Sequence, residues 1–334
     1  MTETSGELAR TFRRSIVASR LKSISMRLAT IAVSLLILSI AVFSLVQLVP
    51  GDLAATILGP YATSEQLAAL NKSLGTDQPP LYRYLTWLSG FLRGDWGQSM
   101  LLGVPVFPLV MGHLTNSLLM AFSAILAVVP VSIAAGMLAA VHQGKLIDRI
   151  ISVSGLVLLG IPEFVSGVIL LVLFGVYLKW FPVQSQVPTS IFDFFYYLTL
   201  PVLPLVLLLF GYFSRMMRSS TIEVLESNYV RSAVLKGLST REVLFNHVFR
   251  NAALPTISVV TGQAGYLIGG LVIIETLFSY PGIGNLAYQA AQGHDVEVLT
   301  ASVVVIATVV MMVTFVGDVL MIWLNPRARQ EDRS

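Results

Sequence analysis

The chain contains no cysteine. Disulfide frameworks, thiolate nucleophiles and cysteine-ligated metals are therefore excluded. Charge is scarce: Asp, Glu, Lys and Arg make up 12% of 334 residues, against about 25% in a soluble chain. The four histidines, His113, His142, His247 and His294, are scattered and show no metal-ligand spacing. No short alternating segments of a membrane barrel occur. A G-x-x-x-x-G-K-[ST] phosphate loop is also missing, so any ATP-driven work must come from another subunit. Nucleic acid is not among the expected partners.

What the chain does have is long apolar runs. Hydrophobic residues make up 55% and mean hydropathy is +0.79. Six stretches approach or exceed the roughly 20 residues needed to cross a bilayer: 28–51, 114–141, 150–178, 194–214, 253–276 and 298–324. Their only charged residues are Glu163, Glu275 and Asp318. Because lipid offers no hydrogen bonds to the backbone, these runs are expected to be helices, giving an all-α integral membrane protein. Six spans place both termini on one side. The residue-1–27 tail, the loop before 150, the 215–252 segment and the tail at 325–334 together hold 17 of the 21 Lys and Arg. Lys72, Arg83, Arg93 and Lys179 alone fall on the other side. The positive-inside rule makes both termini cytoplasmic and 52–112 an extracytoplasmic lobe. The first run is too long for a signal-peptide core and no small-x-small site follows it, so it reads as a retained span.

Two helices are legible in the lobe. Thr63 with Gln66 is a capping box and Gly75 a stop. After Pro79-Pro80, the residues Leu81, Tyr84, Leu85, Leu88, Phe91 and Leu92 recur at helical spacing. Pro130, Pro162, Pro201 and Pro204 lie inside spans and predict kinks. Gly262, Gly265, Gly269 and Gly270 predict a close helix contact, within the chain or with another subunit.

The stretch 229–255 reads YVRSAVLKGLSTREVLFNHVFRNAALP. Tyr229, Val230, Ala233 and Val234 have helical spacing, Gly237 breaks the helix, and Ser239 with Glu242 caps a second one carrying Val243, Leu244 and Val248. That second helix is expected to run to Pro255, where the fifth span begins. An amphipathic helix on a loop can lie on lipid, pack on its own chain or enter a partner's groove.

The pattern Tyr229-Val230-Arg231-x-Ala233-x-x-Lys236-Gly237-Leu238-Ser239, followed by His247, Arg250-Asn251-Ala252 and Leu254-Pro255, resembles the cytoplasmic loop of binding-protein-dependent ABC transporter permeases. Within these it is similar to the dipeptide/oligopeptide/nickel family, first-permease (B-type) subunit. Arg231-Ser232-Ala233 stands where the general version has Glu-Ala-Ala. Pro50-Gly51-Asp52, Gly94-Asp95-Trp96-Gly97, Leu114-Thr-Asn-Ser-Leu118, Ile161-Pro162-Glu163-Phe164, Glu275-Thr-Leu-Phe-Ser-Tyr-Pro-Gly-Ile-Gly284, and Asp318 with Asn325-Pro326-Arg327 agree with the same family. The likeness covers about residues 28–329. It implies a type I importer permease fold, with a core over 113–324 and a coupling loop at 215–252. Coupling to the ATPase would fall to Glu226, Tyr229, Val230, Arg231, Ser232, Ala233, Lys236, Gly237 and Leu238, the apolar stripe entering a groove of the ATPase. The implied partners are a homologous second permease, two ATP-binding cassette subunits that carry ATP and Mg, an extracytoplasmic substrate-binding protein and the lipid of a bacterial inner membrane. The chain itself would bind no cofactor and catalyse no reaction. The alternatives are an ATP-independent carrier or channel, and an exporter-type permease, which the importer loop disfavours.

An ionisable group at membrane depth is costly and faces a cavity or a partner. Glu163 and Phe164, with Glu275, are the candidates for the translocation pathway. The resembled family commonly has a small or neutral residue where Glu163 stands. A straight helix from Ile150 would put Glu163 about 20 Å in from the cytoplasmic end. There it would either be buried and hydrogen-bonded or attract a substrate's amino group. Glu275 lies near the outer end of its span and suits structure or gating. Asp318 lies near the inner end of the last span and suits pairing with a basic neighbour.

Overall fold

Every apolar run that the computed structural model describes is helical, as the lack of hydrogen-bonding solvent in a bilayer demands. The described residues are 24–45, 58–59, 61–74, 78–239 and 242–324. In chain order the helices are α1 (Ile24–Leu45), α2 (Ser64–Leu74), α3 (Pro80–Arg93), α4 (Val106–Val141), α5 (Leu146–Gly160), α6 (Glu163–Tyr177), α7 (Ile191–Leu225), α8 (Asn228–Leu235), α9 (Val243–Leu277), α10 (Ile283–Gln292) and α11 (Val296–Leu324). The sole β pairing among the described residues is an antiparallel bridge between Gln98 and Pro105. Helices α1, α4, α7, α9 and α11 are each long and apolar enough to cross a membrane. The expected third span is instead two helices, α5 and α6, bent by 100°.

Local chemistry explains that bend. Ile161 is extended (φ −97°, ψ 118°), the conformation that a following proline favours. Pro162 then adopts φ −55°, ψ 139° and α6 starts at Glu163. Pro130, Pro201, Pro204 and Pro255 stay inside continuous helices. So the straight-helix depth for Glu163 does not carry past Gly160, and Glu163 sits at an elbow. The last seven residues of α6, Leu171–Tyr177, are wound as a π-helix.

Other boundaries shift for related reasons. Helix α4 begins at Val106, inside the stretch expected to be lobe, and α7 runs on to Leu225, eleven residues past the expected span end. Helix α9 does not begin at Pro255. It starts with a π-turn at Val243–Val248 and continues through Pro255 without interruption. The N-terminal tail to residue 23, Pro50-Gly51-Asp52, Gly75, Arg241, Asn325-Pro326-Arg327 and the C-terminal tail lie outside the described residues.

The chain forms two compact units, residues 1–89 and 90–334. In the first, α1 meets α3 through a 2.8 Å hydrogen bond between the hydroxyls of Ser39 and Tyr84 and through the rings of Phe43, Tyr84 and Trp87. The Thr63–Gln66 capping box is formed, with both backbone N–H groups satisfied at 3.0 and 3.3 Å. In the second unit, missing side chains set the helix crossings. A Cβ on Gly136 of α4 would lie 2.6 Å from the Ser214 carbonyl of α7, and one on Gly211 of α7 would lie 2.5 Å from the Gly155 carbonyl of α5. The expected glycine stripe of α9 divides. Gly265 abuts Thr314 of α11 and Gly270 abuts Glu163, whereas Gly262 and Gly269 face open space. A central core of Met120, Val128, Leu198, Leu205, Phe213, Leu271 and Phe278 is accompanied by two smaller clusters, one joining α8 to the start of α9 and one joining α4, α10 and α11.

Candidate functional site

Three sites are built where α9 meets its neighbours. The first is at its N-terminal end. Helix α8 is followed by Gly237 at φ +84°, a left-handed closure that glycine adopts without strain. The Ser239–Glu242 capping box then opens the next helix: Ser239 N–H donates to Glu242 Oε2 at 2.9 Å, and Glu242 N–H donates to Ser239 Oγ at 3.3 Å. The Ser239 backbone and hydroxyl hold the Glu242 carboxyl below its ordinary range. Asn251 Nδ2 donates to both the Tyr229 hydroxyl and the His247 carbonyl at 2.9 Å, tying α8 to the π-turn.

The structure revises which face of α8 is free. Val230 and Ala233, expected to enter a partner, are buried against Met217, Val243, Val248 and Ala252 of their own chain. The outward side carries Tyr229, Arg231, Ser232, Val234, Leu235, Lys236 and Leu238. Val234 is 57% exposed and Leu235 88%. Glu226 and Phe245 are exposed beside them. Periodicity revealed the inward stripe but could not say what covers it.

The second site is at the far end of α9. Glu275 is fully buried, so it lines no open path. Ser117 Oγ donates to its Oε1 at 2.5 Å, and the N–H groups of Gly284 and Asn285 donate to its Oε2 at 2.8 and 3.0 Å. Ile283 N–H donates to Ser117 Oγ at 2.8 Å. The carboxylate and the serine thus satisfy the free N–H groups at the start of α10, where an acid is also favoured by the helix dipole. A Cβ on Gly282 would lie 2.2 Å from this carboxylate, which explains the glycine. Asn116 Nδ2 donates to the Pro281 carbonyl and Tyr280 Oη to the Asn116 carbonyl. The Leu114–Leu118 and Glu275–Gly284 motifs are therefore two halves of one hydrogen-bonded corner.

At the third site, α6, α7 and α9 enclose a cleft lined by Glu163, Leu205, Leu208, Leu209, Tyr266, Leu267 and Gly270. Glu163 is buried, and Tyr266 lines the cleft beside it. Phe164, next to it, is exposed.

The comparisons with known proteins identify the family. The family described as "Binding-protein-dependent transport system inner membrane component" matches residues 132–330, and its N-terminal companion matches 20–134. The chain belongs to this family. The "Probable peptide ABC transporter permease protein y4tP" of Sinorhizobium fredii is 33% identical over 303 residues, covering 90% of this chain and 96% of the relative. The "Glutathione transport system permease protein GsiC" of Escherichia coli K12 is 31% identical over 306 residues, covering 91% and 97%. The chain is thus a non-catalytic, multi-pass permease subunit of an inner-membrane ABC importer.

In this permease two further sites were not anticipated from sequence. Arg218 of α7 grips Asp148 of α5 bidentately, Nε to Oδ1 at 2.5 Å and Nη2 to Oδ2 at 2.8 Å. Gly144 N–H and Ser152 Oγ complete the Asp148 shell. Arg218 adjoins Met217, which packs under α8, so the pair ties the α5 end to the floor of the permease's loop. Asp295 joins Ser99 Oγ, at 2.5 Å, to the start of α11. Seventy residues separate Asp148 from Arg218 and 196 separate Ser99 from Asp295, so spacing gave no sign of either.

Proposed function

We propose that this chain is the first of two homologous permease subunits in an ATP-driven importer for peptides or a related small solute. The likeness to permeases named for peptides and for glutathione supports that substrate class. Two ATPase subunits carrying ATP and Mg engage the loops, and an extracytoplasmic binding protein delivers the solute. Alternating access follows when the ATPases close, the loops move and the helices reorient around a central path. Glu163 and Phe164 are the path candidates. The bias of 17 Lys and Arg against four supports cytoplasmic termini. An ATP-independent carrier has no support in the relatives' names.

The observation that carries the reading is the outward edge of α8. Among the described residues Val234 and Leu235 are the most exposed apolar side chains of this edge, on a helix whose opposite face is already anchored. Burying one such leucine on a partner stabilises by about 1.5–3 kcal/mol. Leu235→Asp is expected to release the ATPases from the purified complex while membrane insertion and thermal stability of this chain hold. Ala233→Asp, by contrast, is expected to lower the melting temperature, because it places a charge in the chain's own packing. Full ATPase retention with Leu235→Asp would overturn the assignment of this edge.

A further inference from the structure

Glu163 is an acid that the coupling and anchoring roles leave unused. Among the described residues no Lys, Arg or His pairs with it. Tyr266 is the one side chain with a hydroxyl that lines the cleft with its carboxylate, although a carboxylate can accept about four hydrogen bonds. Gly270 makes room for it: a Cβ there would lie 3.0 Å from Glu163 Oε1. The walls are leucines, Leu205, Leu208 and Leu209. Tyr266, which lines the cleft with them, is 57% exposed.

A carboxylate and a tyrosine hydroxyl are costly against hydrocarbon, so this face meets water or protein rather than lipid. Leucine walls offer nothing to a hydrated anion. A carboxylate with unfilled acceptor capacity beside the Tyr266 ring matches the recognition chemistry of an ammonium group, which combines charge pairing with attraction to a ring face.

We propose that Glu163, with Tyr266, forms an ammonium-binding subsite on the transport path, taking the amino group of a peptide or another small primary amine. This rests on the reading of the chain as an importer permease with a water-filled path.

The native lack of cysteine gives a direct test. Leu208→Cys, at the cleft wall, is introduced in the assembled complex in proteoliposomes, and labelling of this chain is read by mass. The cationic trimethylammonioethyl methanethiosulfonate is expected to react faster than the anionic sulfonatoethyl reagent. Adding Glu163→Gln is expected to lower the cationic-to-anionic rate ratio about tenfold, the scale of one nearby charge. The same pair of measurements at Gly262→Cys, on the open side of α9, should show a much smaller change. Three results overturn the proposal: no reaction at Leu208→Cys, a ratio unmoved by Glu163→Gln, or an equal change at Gly262→Cys. Uptake of free and N-acetylated trialanine forms a separate arm, with Glu163→Gln expected to slow the free peptide selectively. A wild-type complex that carries neither peptide counts against the peptide reading alone, and the labelling ratio still decides the subsite.

Discussion

Glu275 shows how much one side chain can organise. Its carboxylate takes three protein donors, one of them a serine that itself takes a fourth N–H. Glu275→Ala strands those donors in a buried corner, where each unsatisfied group costs about 1–3 kcal/mol. We expect a marked fall in the thermal stability of the detergent-solubilised protein. Glu275→Gln keeps one acceptor oxygen and should lose less. Equal melting temperatures for wild type and Glu275→Ala would show that the corner is held by packing alone. The sequence revealed that Glu275 was an anomaly in an apolar run and that Gly282 and Gly284 followed. It could not reveal Ser117 as the partner, because the two stand 158 positions apart and nothing in local spacing encodes that meeting. The coupling residues divide similarly: helical periodicity grouped Val230 with Ala233, yet burial of that group on Met217 depends on how α7 extends beneath it.

At the level of helices, hydropathy made the spans legible because the bilayer imposes length and apolarity together. The capping boxes at Thr63 and Ser239 were legible because their donors and acceptors lie three residues apart. The elbow at Pro162 was not. Pro130, Pro162, Pro201, Pro204 and Pro255 look alike in the sequence, but of these only Pro162 follows a residue that leaves the helical region. Glycine roles were equally hidden until neighbours were placed. Gly211→Ala drives a methyl into the Gly155 backbone, and overpacking of this kind costs about 1–3 kcal/mol. Gly262→Ala meets nothing within 4 Å and removes a helix-weakening glycine. The first should lower the melting temperature and the second leave it level or raise it. A reversed order would show that the α5–α7 crossing is looser than its spacing indicates.

For the whole molecule, the orientation inferred from charge calls for its own measurement. With no native cysteine, Lys72→Cys should react with an impermeant maleimide in spheroplasts, and Lys145→Cys only after the membrane is opened. The opposite pattern would invert the topology and remove the coupling role of α8. The uninterrupted course of α9 has a mechanical consequence. Its 35 residues form a lever about 52 Å long, with the α8 platform at one tip and the Glu275 corner at the other. A tilt of about 5° around its midpoint swings each tip roughly 2 Å, in opposite directions. Force applied at one membrane face thus reaches the other as displacement of a single body, without any chain of intermediate contacts to relay it.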